Sequence, residues 1–323
     1  MATAVRLDSI GRRYRTQPTS TGKRVTPTDR DLLLFEKIHR HGPLSTPYLV
    51  AYSQALRRST KRAKERLTDL FNEDNTPHNG PYLTRPFQQF ETLDARQNDL
   101  VYDLSPQAIT LLKEQSVWSE LAPNPSGSWK HTFMTACITA SVELATLQTR
   151  HVRYIFQDEI LARSGSRLHF PVTIAGITKS LIPDALFGLE YTDTDGKKYY
   201  RFFFVEADRS TEPNQANTLE RKSYARTLMQ YREFVGKGLY KEALGLTAGV
   251  LVLNVTTSKL RERNLLRLTE EEFKSGGSNY LLFQSAPAFG RYFKPPHILT
   301  DLFEKPWQRA GREPFAIHSQ SGS

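Results

Sequence analysis

The sequence predicts an α+β protein with two domains, in which a small helical domain precedes a larger domain built on a mixed sheet. The first part of the chain shows three short helical patterns and then two short extended segments. Residues 131–310 instead follow the predicted order α-β-β-β-β-α-β-α-β, which favours a mixed sheet with helices on its faces. Between them, APNPSGSW has the Pro, Gly, Ser and Asn content of a linker. We therefore expect a flexible basic tail over 1–24, domains over 25–121 and 131–310, a linker over 122–130 and a flexible tail over 311–323.

The composition excludes several classes of protein. A single cysteine, Cys137, allows neither a disulfide framework nor a cysteine-rich zinc site. The chain is 38% hydrophobic, with 18 Phe and 14 Tyr, which indicates a folded globular protein. No apolar run reaches the length of a membrane span, and the first residues lack the apolar segment of a signal peptide. We therefore expect a soluble cytoplasmic protein with no membrane partner.

The net charge of +10 is concentrated near the N-terminus. Residues 1–70 hold 15 Lys or Arg against 6 Asp or Glu, whereas residues 71–323 hold 29 against 28. This asymmetry is typical of an N-terminal segment that binds a polyanion.

The first helix is predicted within TPTDRDLLLFEKIHRHG. Thr26 suits the N-cap and Pro27 the first helical position. Asp29 and Asp31 favour the positive end of the helix dipole, and Gly42 ends the helix. A second helix follows in LSTPYLVAYSQ, and the third is ALRRSTKRAKERLTDLF.

The third helix is strongly basic around one apolar face. Six basic residues occupy ten positions: Arg57, Arg58, Lys61, Arg62, Lys64 and Arg66. With Ser59 and Thr60, which lie near the helix start and can reach base edges, these are the candidate DNA-binding residues. The alternative interpretation is a solvated helix face, because Lys and Arg are good helix formers.

After the basic helix, GPYLTRPF and DLVYDLS predict a β-hairpin, and SPQAITLLKE predicts one more short helix. Two helices, a basic helix and a hairpin wing are the order of a winged helix-turn-helix. We therefore expect the first domain to be a winged helix whose partner is double-stranded DNA.

The second domain begins with HTFMTACITASVELATLQT, a predicted buried helix in which Glu143 is the polar exception. Predicted strands and helices follow in this order: RHVRYIFQ, SRLHFPV, SLIPDALFGLEY and KKYYRFFFVEAD as strands, NTLERKSYARTLMQYREFV as a helix, AGVLVLNVT as a strand, SKLRERNLLRL as a helix and SNYLLFQ as a strand.

The predicted strand in RFFFVEADRSTE ends in a cluster of charges. Glu206 and Asp208 are two positions apart, so their side chains share one face of the strand. Asp195-Gly196 predicts a hairpin turn that brings Asp184 opposite the end of that strand. A register shifted by one residue, as at a bulge, places Asp184 on the same face. Convergent carboxylates repel each other unless a cation lies between them, so we expect Asp184, Glu206 and Asp208 to bind Mg²⁺ or Mn²⁺.

The pattern IPDALFGL…RFFFVEAD resembles the core of the PD-(D/E)xK, or restriction-endonuclease-like, nucleases. The resemblance implies a restriction-endonuclease-like mixed sheet flanked by helices. It also implies that Pro183-Asp184 is the Pro-Asp element, that Glu206 is the second acid and that Glu143 completes the metal site. The implied activity is metal-dependent cleavage of DNA.

The sequence departs from this pattern at the family's lysine position, which holds Asp208. An aspartate cannot stabilise charge on a phosphate as a lysine does. Lys222, on the following helix, is the amine expected to replace it, and Lys179 is a second candidate. Without such a replacement, cleavage is lost.

The whole chain also resembles the replication-relaxation family of plasmid and mobile-element proteins. Five blocks carry the resemblance in order: TDRDLLLFEKIHRHGPLST, WKHTFMTACITA, IPDALF, VEADRSTE and NVTTSKLRERNLLRL. The resemblance implies a role in plasmid replication, in relaxation of DNA, or in their control.

Three alternatives stay open. The protein is either a metal-dependent nuclease or a non-enzymatic winged-helix regulator of transcription or replication whose second domain retains only the fold. In a third reading, the Phe-rich and Tyr-rich second domain mediates assembly, for example as a homodimer. Each carboxylate also has a structural reading, such as an ion pair with Arg209 or a contact between Glu143 and His131. Arg261 and Arg263 are expected on a solvated helix face, with a phosphate clamp as the alternative.

Overall fold

The computed structural model describes residues 14–56, 59–74, 78–91, 95–123, 127–209, 223–273, 276–290 and 293–319. The chain forms two compact units. The N-terminal unit comprises Met1–Glu120 with Tyr292–Ile298, and the C-terminal unit comprises Leu121–Arg291 with Leu299–Ser323. Among the described residues, no helix is both long enough and apolar enough to cross a membrane.

The N-terminal unit is a helical domain with a small antiparallel sheet. Its elements are α1 (Asp29–His41), β1 (Leu44–Ser45), α2 (Thr46–Ala55), α3 (Thr60–Asn72), β2 (Leu83–Thr84), a 3₁₀ helix (Phe87–Phe90), β3 (Val101–Leu104) and α4 (Pro106–Glu114). The sheet order is β1-β3-β2, so β3 pairs both with β2 and with the short strand β1 that separates the first two helices.

Helix α1 begins two residues later than the position of Thr26 predicted. Its N-cap is Thr28, whose backbone N–H and hydroxyl both donate to the Asp31 carboxylate, at 2.8 and 2.7 Å. Thr28 and Asp31 thus form a capping box, which satisfies the open end of the helix. Gly42 ends the helix with a φ of 108°, as its position predicted.

Residues 14–24 are the described part of the segment expected to be a flexible basic tail, and they form hydrogen bonds with the rest of the N-terminal unit. Thr21 donates to the Glu73 carboxylate from its backbone N–H at 2.8 Å and from its hydroxyl at 2.9 Å. Lys23 forms an ion pair with Asp69 at 2.5 Å. These bonds fix the segment on the end of α3. At the other end of the chain, residues 312–315, within the segment expected to be a flexible tail, form a strand.

The N-terminal unit also takes in residues from late in the chain. The fully buried Tyr48, on α2, donates its hydroxyl to the backbone carbonyl of His297 at 3.3 Å. The segment Tyr292–Ile298 therefore adds to this unit, although the residues on both sides of it belong to the other.

The C-terminal unit is a mixed sheet with helices on both faces. Its helices are α5 (Trp129–Thr146), α6 (Gln157–Ser164), α7 (Tyr224–Phe234), α8 (Tyr240–Leu244), α9 (Lys259–Glu272) and α10 (Asp301–Glu304), with a 3₁₀ helix at Pro287–Phe289. Its strands are β4 (Val152–Ile155), β5 (Phe170–Ile174), β6 (Ile177–Leu181), β7 (Ala185–Thr192), β8 (Lys198–Asp208), β9 (Val250–Thr256), β10 (Leu281–Ser285), β11 (Trp307–Arg309) and β12 (Arg312–Phe315).

Seven of these strands form one sheet in the order β12-β11-β10-β9-β8-β7-β4, and β5 pairs with β6. The three central strands, β8, β9 and β10, are parallel, whereas the outer pairs are antiparallel. Phe204 packs in the core on one side of the sheet, while its neighbours Phe203 and Val205 pack in the core on the other. This two-sided burial explains the continuous apolar run of β8. The carboxyl ends of the parallel strands meet at one edge, and β8 delivers its acidic residues there.

Candidate functional site

Asp184 lies immediately before β7, where the hairpin register, extended by one residue, places it opposite Glu206. No bulge is needed to bring the two side chains to one face of the sheet. The backbone N–H of Asp184 donates to the Val205 carbonyl at 3.0 Å. One carboxylate oxygen accepts the Ala207 N–H at 2.8 Å, and the other lies 2.8 Å from Nε2 of His131, in the first turn of α5. The carboxylate is therefore fixed between the hairpin and α5.

The carboxylate of Glu206 accepts a hydrogen bond from a tyrosine hydroxyl. Tyr231, on α7, is fully buried and donates its hydroxyl to Oε1 of Glu206. Burial raises the pKa of the Tyr231 hydroxyl well above its usual range, and the negative charge of Glu206 raises it further. The hydroxyl therefore keeps its proton at neutral pH and acts as a donor. This neutral donor orients the carboxylate without cancelling its charge.

Asp208, the last residue of β8, is held by a cation. Nε of Arg261 donates to its carboxylate at 2.5 Å, and the side chains of Arg261 and Asp208 are only 11% and 5% exposed. Arg261 comes from the first turn of α9, whose N-cap Ser258 accepts the Arg261 backbone N–H at 3.2 Å. The expectation of a solvated helix face is wrong for Arg261, whereas Arg263 is exposed.

A cavity of about 460 Å³ opens beside these three carboxylates. Arg209 and Arg226 contribute guanidinium groups to its wall, and Nη1 of Arg209 donates to the Ser128 hydroxyl at 3.0 Å. Gln230 and Tyr224 also line it. Both acidic and basic side chains thus line this polar cavity.

The residues present do not fit the predicted three-carboxylate metal centre. Within the described ranges, no group of three or more His, Cys, Asp or Glu side chains is arranged to hold a metal ion. The charge of Asp208 is already compensated by Arg261. One carboxylate oxygen of Asp184 accepts the Ala207 N–H, and the other lies within hydrogen-bond distance of Nε2 of His131. We therefore derive no chemical step through a divalent ion.

Glu143, predicted to complete the site, is not brought to it. It is buried in α5 twelve residues beyond His131, which corresponds to about 18 Å along the helix. Burial raises the pKa of the Tyr154 hydroxyl, and the negative charge of Glu143 raises it further. Glu143 therefore lies near Tyr154, on the outer strand β4. The helix residue that meets Asp184 is His131. Lys222 lies outside the described residues, and the carbonyl of Lys179 accepts the Gln230 amide at 3.1 Å.

The predicted DNA-binding residues of α3 fall into two groups. Ser59 caps the helix by accepting the Arg62 N–H at 3.4 Å, and Thr60 accepts the Gln54 amide at 3.0 Å. Lys61, Arg62 and Lys64 are exposed, and no ion pair joins any of them to another described residue. Arg57 and Arg58 lie outside the described residues.

Arg66 differs from the exposed basic residues of α3. Its guanidinium donates to the fully buried Asp31 carboxylate at 2.6 Å and to the Thr26 carbonyl at 2.7 Å. Burial alone would raise the pKa of Asp31, but the bonds from Arg66 and Thr28 outweigh it and lower that pKa. Arg66 therefore joins α3 to α1 and has a structural role.

A protein-family model described as replication-relaxation matches residues 35–250, about two thirds of the chain. The chain belongs to the replication-relaxation family. The family match runs from α1 to the first residue of β9 and includes Asp184, Glu206 and Asp208, whereas Arg261 lies beyond it. No curated protein and no solved structure matches this replication-relaxation chain.

Sequence reasoning missed the partners of the three carboxylates. His131 stood out only as a residue near a helix start, and Tyr231 as one aromatic residue in a helix. Arg261 was visible as one of three arginines in SKLRERNLLRL. Its place in the first turn of the helix after a parallel strand is a signal that would have found it, because such turns lie at the carboxyl edge of the sheet.

Proposed function

We propose that this protein binds double-stranded DNA through its N-terminal unit, in the replication or relaxation of a plasmid or other mobile element. The observation that carries the proposal is the row of exposed basic residues on α3, Lys61, Arg62 and Lys64, which have no ion-pair partner among the described residues. Exposed lysine and arginine side chains without such an ion pair are available to bind DNA phosphates. The family membership supports the same conclusion.

We further propose that the N-terminal unit is a winged helix. The order helix, strand, helix, helix, strand, strand supports this, as does the antiparallel sheet in which β2 and β3, which follow α3, are joined by β1. In that arrangement α3 is the helix that enters the major groove, and the exposed Ser59 and Thr60 at its start face the base edges.

For the C-terminal unit, the alternative of a retained fold without cleavage is the better supported. The Pro-Asp hairpin and the acids of β8 fit a nuclease-like architecture. However, each of the three carboxylates is engaged by a protein donor, and the lysine position is an aspartate paired with Arg261. We propose that this unit acts as a DNA-associated scaffold and that the protein is a non-enzymatic regulator or initiator.

The DNA-binding proposal is tested by measuring the affinity of the full chain for a duplex at several salt concentrations. Lys61→Ala/Arg62→Ala/Lys64→Ala is expected to weaken binding and to reduce the slope of log K against log[salt] by about 1 per lost phosphate contact. The control, Arg163→Ala/Lys241→Ala/Arg267→Ala, removes the same charge from exposed positions of the C-terminal unit. Equal losses in the two variants would show that α3 is not the DNA-binding element.

The absence of cleavage is tested by incubating the protein with supercoiled plasmid in Mg²⁺ or Mn²⁺ and in EDTA. The plasmid is expected to stay intact while the protein shifts it on a gel. Metal-dependent nicking that Asp184→Ala/Glu206→Ala abolishes would instead establish a nuclease. The homodimer remains a prediction, and sedimentation of the full chain tests it.

A further inference from the structure

Phe87 is an aromatic side chain displayed to solvent in the N-terminal unit. It is 69% exposed, the most exposed large hydrophobic side chain in the described part of the chain. It begins the 3₁₀ helix Phe87–Phe90, which lies between β2 and β3. These two strands form the predicted wing. A ring this exposed costs the free protein solvation free energy, which a partner would recover by covering it.

The segment that carries Phe87 is anchored by Gln89. This side chain is buried, and its amide donates to the carbonyls of Pro86 and Val101 at 3.0 and 2.9 Å. Its amide oxygen accepts the Val101 N–H at 2.9 Å. One buried side chain thus satisfies three backbone groups and fixes the turn to the first residue of β3. The exposure of Phe87 is therefore a property of a fixed turn, and the ring is presented before any partner arrives.

The same turn is joined to the basic helix. Arg85, two residues before Phe87, lies with its guanidinium 3.7 Å from the ring centre of Phe71, near the end of α3, and donates to the Tyr102 hydroxyl at 3.1 Å. The N–H of Tyr82 donates to the Leu70 carbonyl of α3 at 3.0 Å. The wing and the helix with the exposed Lys61, Arg62 and Lys64 therefore belong to one packed assembly.

We propose that Phe87 is a wedge that inserts between adjacent base pairs of duplex DNA when α3 binds the neighbouring phosphates. The proposal rests on the proposed function, because it needs DNA on this unit. The positive charge of α3 selects a polyanion, and an apolar ring on a turn joined to the same helix suits the stacked bases between the phosphates. Insertion unstacks one base step, and this step kinks and locally unwinds the duplex. The protein would thereby change the twist of closed duplex DNA by binding alone, and the linking number would change only after a topoisomerase removes the compensating strain.

The test measures the linking number of closed plasmid. The full chain is bound to relaxed plasmid, a topoisomerase removes the resulting strain, and the deproteinised plasmid is resolved on a gel. The wild type is expected to change the linking number in proportion to the protein bound. Phe87→Ala, compared at equal occupancy by gel shift, is expected to lose most of this change, whereas Phe87→Leu retains part of it. Leu33→Ala, at an exposed apolar position of α1, serves as the matched control and keeps the wild-type change.

Two outcomes overturn the proposal: a wild type that binds plasmid with no linking-number change, and a Phe87→Ala variant that changes the linking number as the wild type does. Thermal denaturation of each variant shows whether the fold is intact, and Phe87→Leu tests the wedge if Phe87→Ala unfolds. A wild type that fails to shift plasmid on a gel would instead overturn the proposed DNA binding itself, so the two failures are distinguishable.

Discussion

Arg261 donates from its Nε to the carboxylate of Asp208 at 2.5 Å, across the carboxyl edge of the sheet between α9 and β8. The pair reverses the chemistry expected of the nuclease pattern. Where that pattern has a lysine on the strand, this chain has an acid on the strand and brings the cation from the next strand–helix connection. The positive charge of Arg261 thus compensates the protein's own Asp208 carboxylate.

Arg261→Ala is expected to lower the free energy of unfolding by about 3–5 kcal/mol, because it leaves the buried Asp208 carboxylate without its cation. Urea denaturation measures the loss. Arg263→Ala removes an exposed arginine two residues away and is expected to cost no more than about 0.5 kcal/mol. Asp208→Ala/Arg261→Ala should recover part of the loss. Similar costs for the two single arginine variants would contradict the structural role of the pair.

Glu190, on β7, gives the protein a pH-dependent contribution to stability. Burial alone would raise the pKa of its carboxyl, but hydrogen bonds from Arg153, Lys198 and Tyr200 outweigh it and lower the pKa from 4.5 to about 2. A lowered folded-state pKa stabilises the fold above the unfolded pKa, and this contribution is lost as the pH falls from about 4.5 towards 2. Glu190→Gln should therefore be less stable than the wild type at pH 7, with a difference that shrinks on acidification.

Urea denaturation of the wild type and of Glu190→Gln at a series of pH values measures this dependence. The control is Glu271→Gln, since Glu271 is an exposed residue of α9 paired at 3.6 Å with Arg267. It is expected to show little dependence. A Glu190→Gln curve parallel to that of the wild type over the acidic range would refute the assignment.

Arg66→Ala and Lys64→Ala should separate fold from DNA binding within one helix. Removal of Arg66 leaves the buried Asp31 carboxylate without its cation, so the unfolding free energy is expected to fall by about 3–5 kcal/mol. Removal of the exposed Lys64 should leave stability unchanged and reduce the salt slope of DNA binding by about 1. Thermal denaturation and a salt titration measure the two properties. The assignment fails if Arg66→Ala is as stable as the wild type.

Gly188→Ala is expected to destabilise the central hairpin by about 1–3 kcal/mol through overpacking. A methyl group at this position of β7 would lie 2.8 Å from Cδ1 of Phe202, on β8, and 3.3 Å from Cβ of Ile155, on β4. The control is Gly249→Ala, because a methyl group there meets no atom within 4 Å. Chemical denaturation of the two variants measures the difference. Equal stability would show that the ring of Phe202 moves aside without cost.

The main helices and most of the long strands could be predicted because the hydrophobic period changes clearly between helices and strands. The short elements β1, α6, β6, α8, α10, β11 and β12 were not predicted. The approach of Asp184 to Glu206 could also be predicted, since the Asp-Gly turn at residues 195–196 sets the hairpin register. A two-residue turn at 195–196 would place Asp184 opposite Ala207. The observed pairing of Thr192 with Lys198 gives the register shifted by one residue that a shared face requires, and it does so without a bulge.

The partners of Asp184 and Glu206 could not be read from the sequence, because they come from helices whose rotation is set by tertiary packing. Glu143 attracted attention as the acid in an apolar helix, yet its position along α5 keeps it from Asp184, and His131 takes that place. Arg66 looked like its basic neighbours because linear spacing does not show which side of α3 meets Asp31.

The return of the chain to its first unit near the end sets an order for biosynthesis. The carbonyl that the hydroxyl of Tyr48 needs belongs to His297, so the N-terminal unit cannot complete its core until residue 297 has been translated. By then β4 to β10 have already been translated, whereas β11 and β12 have not. The unit translated first is therefore among the last to complete its folding. A fragment ending at residue 120 would lack the segment Tyr292–Ile298, which belongs to that unit.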